Sequence, residues 1–323
     1  MRVLVTGAAG QLGYDVVKEL NKRGYAAVDA YGLMPNAYGL MPNFVIGTDK
    51  ADFDIVDERA TENFVEKVNP DAVIHCASYT AVDAAEGCAE LCRKINVEGT
   101  ENIAKVCAKL GAKMLYISTD YVFGDMSGAR IEEQGVRDER PHEINDETNP
   151  LNIYGQSKLD GEIAVKKHLQ KYFIVRTSWM FGEKGNNFAK TMLRLGRKRE
   201  CLTVVEDQVG SPTYSVDLAR LLADIIQTDK YGTYHGTNEG YCSWAEFATE
   251  IMKQAGLQCK IVPVTTEEYY RNQRIFLSSK PAQRPSNSRL SKVCLDENGF
   301  ARLPSWQDGL KRYLEELKIY KII

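Results

Sequence analysis

Three glycines, Gly7, Gly10 and Gly13, stand at GxxGxxG spacing between an apolar run at residues 2–6 and a helical pattern at residues 12–23. No other feature constrains the fold as strongly, because strand, glycine turn and helix in that order are the context a dinucleotide site requires. Gly7 permits the tight turn, Gly10 lets backbone approach a pyrophosphate, and Gly13 allows close helix packing. The amino end of the helix attracts the phosphate charge. Gln11 and Leu12 open that helix and join the expected contact surface.

Further strand-length apolar runs fall at residues 25–30, 72–77, 113–118 and 172–177, and helical spacing at 57–68, 88–110 and 153–171. Strands alternating with helices mean crossover connections and a parallel sheet covered on both faces. The fold expected is α/β, a Rossmann-type doubly wound parallel sheet with a smaller α/β C-terminal substrate domain. Residues 1–178 form the first domain, with a return segment near 214–240, and residues 179–213 and 241–323 form the second. A chain of 323 residues suits two interlocked domains.

The formal net charge of -3 gives no basic footprint, which argues against nucleic acid and anionic membrane as partners. No apolar run is long enough to span a bilayer, and Met1-Arg2 leads into Val3-Leu4-Val5 without the zones of a signal peptide. Eight cysteines without a CxxC read as reduced thiols of a cytoplasmic protein. Cys88 and Cys92 lie one helical turn apart, but no histidine or acidic cluster completes a site, so no metal is expected.

The second strand ends at Val28-Asp29, where a carboxylate would bond the adenosine ribose diol and favour NADH over NADPH. By position, Asp54 and Ile55 are candidates to flank the adenine, with Asp54 as a plain loop carboxylate the alternative, and Ala77, Ser78 and Tyr79 are candidates to pass under the cofactor. Residues 30–36 (AYGLMPN) are repeated unchanged at 37–43, a duplication suited to a loop. Residues 130–147 are dense in charge of both signs and read as a solvated loop, with a lid ahead of Tyr154 as the alternative.

Tyr154 and Lys158 are four apart, so on a helix they share a face. Ketone reduction needs a proton donor beside the carbonyl oxygen, and a neighbouring ammonium brings a phenol toward neutral pH. The pair follows the strand ending in Ser118-Thr119, whose Thr119 hydroxyl can reach the same oxygen. Asn96, in the preceding helix, is a candidate support for Lys158 or a plain surface residue. Gly155 and Ser157 permit close approach of the nicotinamide or a neighbouring helix, and His75 reads as a core histidine.

The ordered set GAAGQLG, SYTAVD (78–83), STDYVFG (118–124), PLNIYGQSKLDGE (150–162), RTSWMFG (176–182), GNNFAKTMLRL (185–195), DQVGSPT (207–213) and RPSNSRL (284–290) resembles the dTDP-4-dehydrorhamnose reductase family of the extended short-chain dehydrogenase/reductase superfamily. The resemblance implies reduction of the C4 ketone of a dTDP-4-keto-6-deoxysugar by NADH or NADPH, the final step of dTDP-L-rhamnose synthesis. It implies Thr119, Tyr154 and Lys158 as the catalytic group. Val82, Tyr121 and Trp179 would surround the sugar, and Asn187, Gln208 and Arg284 would meet the nucleotide or pyrophosphate. Members can form homodimers, in some cases with Mg2+ between subunits, although no acidic cluster here can be assigned to that ion.

Two rivals share the scaffold. A sugar-nucleotide dehydratase or epimerase uses the same Tyr/Lys pair, but dehydration usually takes Asp-Glu directly after the threonine, where this chain has Asp120-Tyr121. A cofactor-binding regulatory subunit, resembling the β subunit of methionine adenosyltransferase, would need no chemistry. The complete Thr/Tyr/Lys set favours an enzyme.

Overall fold

The computed structural model describes residues 1–28, 43–125, 140–273 and 281–319. Most of the tandem AYGLMPN copy, Asp29 and the larger part of the charged loop lie outside the described residues.

Seven parallel strands form the central sheet: β1 (Arg2–Thr6), β2 (Ala26–Val28), β3 (Phe44–Thr48), β4 (Ala72–His75), β5 (Lys113–Thr119), β6 (Tyr172–Thr177) and β7 (Gly232–His235). Their order across the sheet is β7-β6-β5-β4-β1-β3-β2. Helices α1 (Gln11–Lys22) and α5 (Ser215–Ile225) cover one face, where Val16, Leu20, Leu218 and Leu222 pack on Val3, Val5 and Val175. On the other face lie α2 (Glu58–Val68), α3 (Thr100–Leu110) and α4 (Ile153–His168), where Val65, Ile103 and Val165 meet Leu4, Val73 and Ile174. Burial of this kind contributes roughly 25 cal/mol per Å2 of apolar surface removed from water.

β3 lies beside β1, and β2 stands at the sheet edge. Side-chain burial explains the order. Phe44, Val45 and Ile46 are buried, whereas Ala26, Ala27 and Val28 are partly or fully exposed, so the more apolar segment takes the position covered from both faces. Gly47 also suits only an inner strand: a Cβ there would stand 2.8 Å from the Cβ of Ala8 in the glycine turn.

A second core gathers Phe181, Leu193, Phe247, Ile251, Leu310 and Tyr313 from residues 181–317. It is built on helices Phe188–Gly196, Trp244–Ala255 and Trp306–Ile319. Ser243 and Glu246 form a reciprocal capping box at the start of the middle helix. Among the described residues no helix is long and apolar enough to cross a membrane.

Candidate active site

At the carboxyl end of β1 the chain turns through Gly7, whose φ of 69° is left-handed. A Cβ on Gly7 would stand 2.8 Å from the Ala77 nitrogen, and one on Gly13 would stand 2.2 Å from the Gly7 carbonyl oxygen. Both positions therefore exclude a side chain. Gly10 caps α1 without any side-chain hydrogen bond, which leaves the first amides of the helix open to an anion.

Two clefts share this turn. One, of ≈ 400 Å3, is walled by Thr48, Asp49, Phe53, Asp54, Ile55 and Ala77, together with Gly7 and Gly10. The other, of ≈ 480 Å3, holds Gln11, Leu12, Gly13, Ser78, Thr119, Asp120, Tyr154, Lys158, Thr177 and Trp179. Oδ2 of Asp120 and Oγ1 of Thr177 are buried there without a partner. Unpartnered buried polar atoms are uncommon in folded proteins, and in a cleft wall they offer bonding capacity to a bound molecule.

The helix bearing Tyr154 is brought into this wall by tight packing. Asn152 caps it, accepting from the Gly155 amide at 2.7 Å. A Cβ on Gly155 would stand 2.2 Å from the Tyr121 carbonyl oxygen, and one on Gly161 2.3 Å from the Tyr116 hydroxyl. The two glycines thus let α4 close on β5 and the turn after it. Behind the helix, Glu162 takes both nitrogens of a bidentate bond from Arg176 at 2.8 Å each and a 2.6 Å bond from the Ser118 hydroxyl.

Lys158 is buried, with Nζ 3.4 Å from the Ser78 hydroxyl and 4.1 Å from the centre of the Tyr116 ring. Burial pushes its ammonium down to about 7, opposed by the negative charge of Glu162. Burial also holds the Tyr154 phenol well above its ordinary value, and the charge of Asp120 adds to that shift. The sequence led us to expect that Lys158 would lower the phenol; instead desolvation governs both groups, because the ammonium is directed at Ser78 and Tyr116. A phenol kept protonated is the form that can give a proton.

Asn96 lies in a π-helical segment, Lys94–Gly99, and is buried rather than on a helix surface. Its Oδ1 accepts from the Ser78 hydroxyl at 2.9 Å and the Tyr79 amide at 2.7 Å. Its Nδ2 donates to the Tyr79 carbonyl at 3.0 Å and the Ser157 hydroxyl at 2.9 Å. Asn96 reaches Lys158 through Ser78. His75 is a core histidine, flanked by the hydroxyls of Thr6 at 2.7 Å and Thr100 at 3.2 Å.

A model of the RmlD substrate binding domain family matches residues 1–319. The chain is 36% identical over 315 residues to spore coat polysaccharide biosynthesis protein SpsK of Bacillus subtilis, covering 98% of this chain and 97% of that protein. It is also 36% identical over 332 residues to the dTDP-4-dehydrorhamnose reductase of Escherichia coli K12, with 98% of each covered. The crystal structure of dTDP-4-dehydrorhamnose reductase from Bacillus anthracis in complex with NADP superposes with a TM-score of 0.82 at 41% identity, covering 98% of this chain and 99% of that one.

The chain belongs to the dTDP-4-dehydrorhamnose reductase family.

Against that family's expected site, the structure places the remaining residues as follows. Asp29 falls outside the described residues, and the acidic residue at the end of the strand beside β1 is Asp49, which sequence reasoning missed. The run Phe44-Val45-Ile46 followed by Asp49 was the available signal. Asp54 pairs with Lys50 at 3.3 Å and accepts from the Val56 amide, while Ile55 packs against Gly99. Val82 opens a short helix, and Tyr121 meets Tyr154 edge-on with ring centres 5.9 Å apart.

Three residues expected at the nucleotide are already bonded within the protein. Asn187 caps its own helix through Oδ1, and its Nδ2 donates to Gln11, the Gly182 carbonyl and Tyr313. Gln208 donates to Thr266 at 3.0 Å. Arg284 makes two bonds to Asp83, at 3.0 and 2.8 Å, and a third to the Tyr270 hydroxyl at 3.1 Å. Trp179 lies in the wall of the second cleft at a φ of 48°, a strained conformation for a large side chain. Its ring stacks on Trp244, another residue the sequence did not single out.

Among the described residues no group of three or more His, Cys, Asp or Glu side chains is arranged to hold a metal ion.

Proposed function

We propose that this protein reduces the C4 ketone of dTDP-4-dehydrorhamnose to dTDP-L-rhamnose with NADPH or NADH. The observation that carries the reading is one cleft in which Thr119, Tyr154 and Lys158 stand beside the open amides at Gly10. The side-chain-excluding glycine turn fits a dinucleotide: Gly7, Gly10, Gln11, Leu12 and Gly13 would hold the pyrophosphate. Asp49, Asp54 and Ile55 would hold the adenosine, and Ala77 and Ser78 would line the floor, with Tyr79 tied beside them to Asn96. When bound, the reduced nicotinamide supplies the hydride.

Tyr154 then gives its phenolic proton to the carbonyl oxygen, a role for which burial keeps it protonated. Thr119 hydrogen-bonds the same oxygen. Lys158, braced through Ser78 by Asn96, brings a cation near the phenolate as it forms. The second domain, residues 179–213 and 241–323, would bind the sugar nucleotide, and Trp179 in the cleft wall would offer a ring face to the deoxysugar. Val82 and Tyr121 belong to the sugar side of this reading; Gln208 and Arg284 would serve through the contacts they hold. A homodimer in the cytoplasm goes with it.

Asp120-Tyr121 after Thr119 speaks against water elimination, which would need a second carboxylate there. The test is nicotinamide absorbance during turnover, with dTDP-4-keto-6-deoxysugar and the 3,5-epimerase supplied. Coenzyme oxidation dependent on the sugar nucleotide is expected. Binding of coenzyme without turnover would support a regulatory subunit instead.

A further inference from the structure

Asp120 is a buried carboxyl in the catalytic wall that the mechanism above does not use. It is 2% exposed, makes no ion pair among the described residues, and has one oxygen, Oδ2, without a partner. Its other oxygen, Oδ1, accepts from the Thr119 hydroxyl at 2.9 Å, and that hydroxyl in turn accepts from the Tyr121 amide at 3.2 Å.

A threonine hydroxyl has one proton and two lone pairs. In the arrangement seen here the proton is committed to Asp120, so Thr119 can only accept from other groups. A ketone oxygen is an acceptor too, and Thr119 cannot serve it in this state. If Asp120 carries a proton on Oδ1, the bond reverses. Asp120 then donates to Thr119, the Tyr121 amide fills the second lone pair, and the Thr119 proton is left for the ketone.

We infer that Asp120 is a positioning residue: protonated, it turns the Thr119 hydroxyl toward the substrate ketone; ionised, it holds that proton away. The inference rests on the reductase reading above. Proton balance is simple. Tyr154 supplies the proton that ends on the substrate oxygen, and Asp120 keeps its own.

The groups facing Asp120 agree with a neutral carboxyl. They are Tyr121 on its own turn, Tyr154 on α4 and the Ser288 hydroxyl on the strand Asn287–Ser288. Arg284 is paired with Asp83, and Lys158 is directed at Ser78. Burial pushes the Asp120 carboxyl up to about 6, opposed by the hydroxyls of Ser288 and Thr119.

The test compares pH profiles of kcat/KM for wild type, Asp120→Asn, Asp120→Glu and Asp120→Ala with NADPH and the dTDP-4-keto-6-deoxysugar. The protonated form is the active one, so the wild-type rate falls as pH rises through the Asp120 ionisation. That limb is expected to vanish in Asp120→Asn and to persist in Asp120→Glu, which keeps the titrating group should the amide variant fail to fold. Asp120→Ala is expected to lower kcat roughly tenfold, the scale of one lost hydrogen bond, with NADPH binding unchanged. Infrared difference spectra of wild type are expected to show a protonated carboxyl band that Asp120→Asn removes. An unchanged limb in Asp120→Asn, or its loss in a folded Asp120→Glu, overturns the inference. Absence of turnover in wild type overturns the reductase reading instead.

Discussion

The carboxylate of Asp49 accepts the Ala9 amide through both oxygens, at 2.9 and 3.1 Å, tying the end of β3 to the glycine turn. A negative charge so close to the turn disfavours a 2′-phosphate on the adenosine ribose. Replacing Asp49 by Ser is expected to raise the NADPH-to-NADH ratio of kcat/KM by about tenfold, near 1.4 kcal/mol. Steady-state kinetics with both coenzymes measures it, and an unchanged ratio removes Asp49 from coenzyme selection.

Tyr154→Phe removes only the proton donor. Turnover is expected to drop by about 100- to 10,000-fold, the usual contribution of general acid catalysis. NADPH affinity, followed by fluorescence titration, should change little. Full activity in this variant would take Tyr154 out of the mechanism.

Trp179 and Trp244 stack with centres 3.6 Å apart and planes 11° from parallel. That contact supports the left-handed backbone at Trp179, where strain costs of order 1–3 kcal/mol. Trp244→Ala should therefore raise KM for the sugar nucleotide by roughly tenfold while leaving KM for NADPH nearly constant. Equal shifts in both constants would mean that Trp244 serves folding generally.

The Glu162–Arg176 pair is buried, with side-chain exposures of 0% and 3%. Removing one partner strands the other charge, so Arg176→Met is expected to destabilise the protein by about 3–5 kcal/mol, and the double replacement with Glu162→Leu by much less. Urea unfolding of the two single variants and the double variant separates these outcomes.

His75 and His235 are buried, and desolvation lowers both to about 3 from an ordinary value of 6.5. Between those values the unfolded chain takes up protons that the native state refuses. Their contribution to stability is therefore full above pH 6.5 and is lost as pH falls toward about 3. Urea midpoints measured from neutral to acid pH should fall, and His75→Gln should fall less steeply. Parallel slopes would remove His75 from the acid response.

The sequence alone determined the glycine turn, the parallel sheet and the Tyr154/Lys158 spacing, because each depends on residues close together in the chain. Gly7 and Gly13 are legible at once, since only a tight turn between strand and helix needs them. The order of strands at the sheet edge is different in kind. Residues 25–30 read as a strand while 44–48 were not singled out, and only competition for the doubly covered place beside β1 put Phe44, Val45 and Ile46 inside. That decision places Asp49 at the end of the strand beside β1. Asn187 and Arg284 matched family motifs, yet partners 126 and 201 residues away claim their side chains. Such pairings, like the Trp179–Trp244 stack and the Asp120–Thr119 bond that fixes where a hydroxyl proton points, are set by packing between distant segments, and no local pattern encodes them.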